Sequence, residues 1–134
     1  MQRLISRSKE WRLAAWITAI DVLIAGGFSI AGLIRPQTIL PLESAPTAGS
    51  FVFAMYAAAR SVPLTLIVLA TIYQRRVQGL VVLGFLAGVI QACDCVIGVI
   101  QHDPGKAVGP LVIAAFQFYV VFILNKSAQG HVSI

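Results

Sequence analysis

"VQGLVVLGFLAGVIQACDCVIGVI" (77–100) contains a single charged side chain, Asp94. A helix needs about 20 mostly apolar residues to cross the ~30 Å hydrocarbon core of a bilayer. This segment meets that length, and its glycines and small residues are common in membrane helices. Three more apolar runs flank it. They are Leu13–Ile34, Ser50–Tyr73 and Ala107–Leu124. Helices are the economical solution, since an open strand would leave backbone groups unpaired in lipid, and four runs are too few for a barrel. The sequence therefore predicts an all-α fold: one domain, a four-helix transmembrane bundle with spans at 13–34, 50–73, 77–100 and 107–124.

Composition agrees. The chain of 134 residues is 58% hydrophobic and 11% charged, with a mean hydropathy of +0.87. A soluble domain carries about 25% charged residues. Basic residues cluster at the ends of the apolar runs rather than along one face, which argues for a lipid bilayer as partner and against nucleic acid. Arg3, Arg7, Lys9, Arg12, Arg75, Arg76 and Lys126 fall on one side of the membrane, and Arg35 and Lys106 on the other. That asymmetry predicts a multi-pass protein with both termini cytoplasmic. The first run is longer than a signal-peptide core of ~7–15 residues and contains Asp21, so it is expected to be a retained span.

The joints carry turn chemistry. "RPQTILPLESAPTAGS" (35–50) has three prolines and reads as a loop, "QRRVQG" (74–79) as a tight basic turn, and "QHDPGK" (101–106) as a Pro-Gly turn. His102 and Asp103 in that turn suit an interface better than a metal site. Cys93 and Cys95 are two apart, so on a helix they diverge and cannot bridge each other. No metal and no cofactor is expected.

Three ionisable residues fall inside spans: Asp21, Arg60 and Asp94. Each costs ~2.5–3.5 kcal/mol to insert at a helix centre. At 1.5 Å per residue they lie ~12, ~20 and ~25 Å from the basic side. Arg60 falls between the two acids and is expected to reach one of them. On the third span Gly84, Gly88, Gln91, Asp94, Gly98 and Gln101 recur at helical steps; on the first, Thr18, Asp21, Ala25, Ser29 and Gly32 do so. Tyr56 shares a face with Arg60, and Gln117 lies on a weaker stripe of the fourth span. Pro63 removes a helical hydrogen bond to the Ala59 carbonyl beside Arg60. An Asp–Arg–Asp set sums to one surplus negative charge. It is either a clip that holds the bundle or a site at which a ligand or proton restores the balance.

The order of features resembles a family of small four-span membrane proteins that is broadly DoxX-like. The elements are "GLIRP" closing span one, "YAAAR" opening span two, "RRVQG" before span three and the acid of "CDCVIG". Where the family often has an acid after the span-two arginine, this chain has Ser61. The resemblance covers roughly 20–125 and implies a lipophilic metabolite as ligand; it assigns no reaction.

Three functions fit. The first is a cofactor-independent membrane enzyme acting on a lipophilic small molecule such as a terpenoid or polyketide, by isomerisation, cyclisation or epoxide opening. Its catalytic residues would be Asp21, Arg60 and Asp94, and its substrate contacts Tyr56, Gln91 and Gln117. The second is a small proton-coupled transporter. The third is a non-catalytic assembly subunit, and a homo-oligomer is compatible with each.

Overall fold

A computed structural model describes residues 2–41 and 44–129, with side chains from Ser8 onward. The chain forms four long helices: α1 (Gln2–Ile34), α2 (Ala48–Tyr73), α3 (Val77–Ile100) and α4 (Pro104–Gln129). A 3₁₀ turn at Pro36–Thr38 follows α1, and no strand occurs among the described residues. Each helix contains a segment long and apolar enough to cross a membrane. This is a multi-pass membrane protein. The expected spans are found in place, while α1 and α4 run beyond them at the ends where basic and polar residues begin. The Arg3 and Arg7 side chains, and the tail past Gln129, lie outside the described residues.

The helix ends are built from local chemistry. Thr47 caps α2 in a reciprocal box, its hydroxyl accepting from the Ser50 N–H and its own N–H donating to the Ser50 hydroxyl. Helices α2 and α3 both stop in Schellman motifs. Arg76 and Arg75 N–H groups donate to the carbonyls of Thr71 and Ile72, and Asp103 and His102 repeat the pattern on Gly98 and Val99. The pivot residues Arg75 and His102 both have φ of 53°, a left-handed conformation usually given to glycine. Asp103 then starts α4, its carboxylate accepting from the N–H groups of Gly105 and Lys106. The Lys106 N–H, with the Lys106 ammonium and the Gly105 N–H, holds the Asp103 carboxyl below the usual carboxylate value. The cap's contribution is therefore complete above the ordinary carboxylate range and lost as pH falls through the lowered value.

Helix packing is uneven, and this places the site. Helix α3 lies closely along α4, α1 along α2, and α1 against α4; α2 meets α3 only sparsely and makes no close backbone approach to α4. Glycine permits the tight α3–α4 contact. A Cβ on Gly88 would meet the Phe118 ring, and one on Gly98 would run into the Lys106 carbonyl and the Ala107 nitrogen. One end of the bundle is dry: Ala14, Ala15, Leu80, Val120 and Leu124 are buried together. Val22, Val68 and Ala87 continue that core along α1, α2 and α3. Most large apolar side chains point outward, among them Trp16, Phe53 and Phe122, as they do in a protein whose outer solvent is lipid.

Gly98→Ala is expected to lower thermal stability, because backbone atoms of α4 must move; overpacking of this kind costs about 1–3 kcal/mol. Gly27 has open space where a Cβ would go, so Gly27→Ala should be neutral or stabilising by up to about 1 kcal/mol. Thermal unfolding of the two purified variants checks the contrast.

Candidate functional site

Among the described residues, four polar side chains are buried in the bundle: Thr18, Asp21, Gln91 and Gln117. They form a polar layer above the dry core. On α1, Thr18 and Asp21 are three residues apart and share a face. Gln117 of α4 donates through Nε2 to the Thr18 hydroxyl at 2.8 Å, across the space left by Gly84, where a Cβ would strike that same amide. One helical turn further along, Gln91 of α3 donates through Nε2 to Asp21 Oδ1. The second Asp21 oxygen, Oδ2, and Gln117 Oε1 are buried without a partner among the described residues.

Above this layer lies a cavity of about 610 Å³, a size that suits a small organic molecule. It occupies the gap between α2 and α4 left by the uneven packing. Its walls include Phe28, Ala57, Ile90 and Ile113, with Ser29, Ser61, Gln91 and Asp94 as polar groups. Asp94, on that wall, accepts no hydrogen bond from a described residue. Gln91 touches both compartments, its amide on Asp21 and its side chain on the cavity wall.

The mouth is tied by Lys106. Its ammonium donates to the Leu40 carbonyl at 3.0 Å and to Gln101 Oε1 at 3.3 Å, and lies 3.4 Å from Asp103 Oδ2. One side chain thus links the loop after α1 to the α3–α4 turn. Thr38, Ile39 and Lys106 line this end of the cavity.

The residues expected to form one site divide into three groups. Asp94 and Gln91 line the cavity. Asp21 sits behind Gln91, and Gln117 is enclosed with Thr18 on the far side of the polar layer. Arg60 and Tyr56 are exposed on the outside of α2, and Arg60 forms no ion pair with Asp21 or Asp94. The expected convergence of an arginine with two acids does not occur. The reason is helical phase. Ala54, Ala58 and Val68 are the residues that α2 buries, and Thr65 donates to the Val22 carbonyl of α1 at 2.8 Å. At 100° per residue, Tyr56 and Arg60 stand about 200° away from Ala58 on either side, so they share a face that turns outward.

Sequence reading did not pick out Ser61 as part of the cavity, nor Lys106 as the tie at its mouth. Ser61 follows Arg60 directly, and one helical step carries it from the outward face to the inner one. Lys106 was legible as a basic residue at a span end and as the first member of the weaker stripe Lys106, Pro110, Ile113 and Gln117, of which the first three line the cavity. No protein-family model, curated protein or solved structure matches this chain.

Arg60→Ala should leave thermal stability within about 0.5 kcal/mol of wild type, as expected for a surface side chain. Gln91→Leu should destabilise by about 1–3 kcal/mol or more, since it strips a buried carboxylate of its donor. A larger loss for Arg60→Ala than for Gln91→Leu would contradict this arrangement.

Proposed function

We propose that the protein takes a lipophilic small molecule into the cavity beside α2 and transforms it by acid–base chemistry at Asp94. The observation that carries this is the position of Asp94: a carboxyl group without a partner among the described residues, on the wall of an apolar, substrate-sized cavity inside a membrane bundle. Such a group is an expensive one to keep in an apolar span and is a functional residue by default. In its protonated form Asp94 can give its proton to a carbonyl, alkene or epoxide. The carboxylate left behind then accepts a proton from a neighbouring carbon of the same molecule. The proton account closes within one turnover, so isomerisation, cyclisation or epoxide opening needs no redox partner. Gln91 and Ser61 supply hydrogen bonds for the polar end of the ligand, and the apolar walls take its chain. The DoxX-like resemblance implies a ligand of the same broad class, a lipophilic metabolite, for which a terpenoid or polyketide is the proposal.

Asp94→Asn keeps the shape and removes the acid. It should reduce conversion of a lipophilic substrate by about 10²–10⁴ while leaving the fold intact. Unchanged turnover in Asp94→Asn would remove Asp94 from the chemistry. Arg60→Ala should be nearly silent in the same assay.

A specific observation also favours an assembly role. Arg60 and Tyr56 stand together on the outward face of α2, the span with the smallest buried share, 11%. A charged group on an apolar span is favoured when a second membrane helix covers it. Helix association and cavity chemistry are compatible. Arg60→Ala would then shift the oligomeric state in detergent without touching turnover.

The basic asymmetry supports an orientation with both termini cytoplasmic and the cavity mouth, at Lys106, on the opposite side. Cysteines introduced at Ser44 and Gln129 should react with impermeant thiol reagents from opposite sides of sealed vesicles. Reaction of both from one side would contradict that topology, and an exchange of the two sides would reverse it.

A further inference from the structure

Arg60 stands at the middle of α2, a helix of 26 residues from Ala48 to Tyr73. The hydrocarbon core reaches ~15 Å to either side of its centre, nearly three helical turns. Long basic side chains reach the interface from positions near helix ends; from mid-span Arg60 does not. A guanidinium also cannot become neutral by releasing its proton. Yet Arg60 is exposed, and no hydrogen bond or ion pair joins it to another described residue. Its neighbours mark a face. Tyr56, Ala59, Arg60 and Pro63 fall within about 100° of arc, opposite Ala54, Ala58 and Val68, which α2 buries. All four are exposed, and Leu66, Ile67 and Ala70 continue the exposed face. Tyr56 adds a hydroxyl one turn from Arg60, and Pro63 has no N–H to give the Ala59 carbonyl. A fixed cation, a hydroxyl and a carbonyl acceptor thus share the outer side of an apolar helix.

We propose that this face docks a transmembrane helix of another protein, one that carries a glutamate or aspartate near its own midpoint. This rests on the assembly reading of the Arg60 face and names its partner. Charge and depth decide the choice. A guanidinium in hydrocarbon is matched by a carboxylate at the same level, through two parallel hydrogen bonds. Ala59 and Ala70 are small enough for a second backbone to come close. A second copy of this chain does not supply the acid. A two-fold contact through this face brings the two Arg60 side chains together. The two acids within the spans are placed elsewhere, Asp21 in the polar layer and Asp94 on the cavity wall. The oligomeric state that Arg60→Ala shifts is therefore that of the complex with this partner.

The test uses a single-span peptide of leucine and alanine with lysine ends, one central glutamate and a dansyl label. It is mixed with the whole protein in phosphatidylcholine vesicles, and energy transfer from Trp11 and Trp16 reports association. The glutamate peptide should associate about tenfold more tightly than the same peptide with a central leucine, the worth of one polar contact between membrane helices. The gain should vanish in Arg60→Gln, and also when the glutamate is moved two helical turns toward either end of the peptide. Arg60→Glu should reverse the preference and favour a peptide with a central arginine; if that variant does not fold, the other two comparisons decide. Equal association of the glutamate and leucine peptides, or a glutamate preference that survives in Arg60→Gln, would overturn the proposal. The assembly reading is measured separately, by the size of the purified wild type and of Arg60→Ala in mild detergent. An oligomer of the purified chain that Arg60→Ala dissociates, with no peptide preference, would keep that reading, make the occupant a second copy and overturn the acidic partner. No response in either measurement would remove both.

Discussion

Asp21 is a carboxylate enclosed in an apolar bundle, and the hydrogen bond it accepts from Gln91 ties α1 to α3 across the diagonal of the four helices. An unpaired polar group in such a setting costs several kcal/mol, so the partner cannot be optional. The Thr18–Gln117 bond does the same between α1 and α4 one turn away. The second bond depends on glycine, because the amide of Gln117 occupies the space that a side chain at position 84 would take. Dispersion between apolar faces gives little preference for one partner helix over another in lipid. The polar layer supplies that preference and fixes how α1, α3 and α4 are set against each other.

The cavity is a consequence of that setting. With α1, α3 and α4 fastened by the polar layer and by glycine contacts, α2 is held chiefly by α1, with Val68 packed in one cluster with Val22 and Thr65 bonded to the Val22 carbonyl. Nothing draws it onto α4. The gap on that side opens toward the loop end, where Lys106 ties Leu40 to the α3–α4 turn. Asp94 lies one turn beyond Gln91 and so projects into the gap rather than into the layer. The same helical spacing thus gives the two acids different surroundings, Asp21 enclosed and Asp94 on an open wall.

The fold was legible because length and hydropathy decide it: four runs of sufficient length leave helices as the only way to pair the backbone in lipid. The small-polar stripe of α3 was legible too, although its members divide, with Gly84, Gly88 and Gly98 serving α4, Gln91 serving α1 and Asp94 the cavity. What could not be read was the phase of α2. Its sequence is apolar nearly all round, so no stripe marks the buried side, and the charge of Arg60 suggested an inward partner. Ala54 and Ala58 reveal the buried side only once α1 is in place. Depth along a helix follows from residue counting; azimuth follows from packing, and for a uniformly apolar helix the sequence does not state it.

The division between an open acid and an enclosed polar layer is the central claim, and cysteine accessibility measures it directly. In a background with Cys93 and Cys95 replaced by alanine, single cysteines at Asp94, Ile113 and Thr18 would be treated with a small methanethiosulfonate reagent in membranes. Positions 94 and 113, on the cavity wall, should label readily, and a lipophilic molecule that fills the cavity should slow both. Position 18, with 0% exposure in the polar layer, should remain unlabelled. Protection at 94 and 113 together with rapid labelling at 18 would contradict the arrangement of layer and cavity described for this bundle.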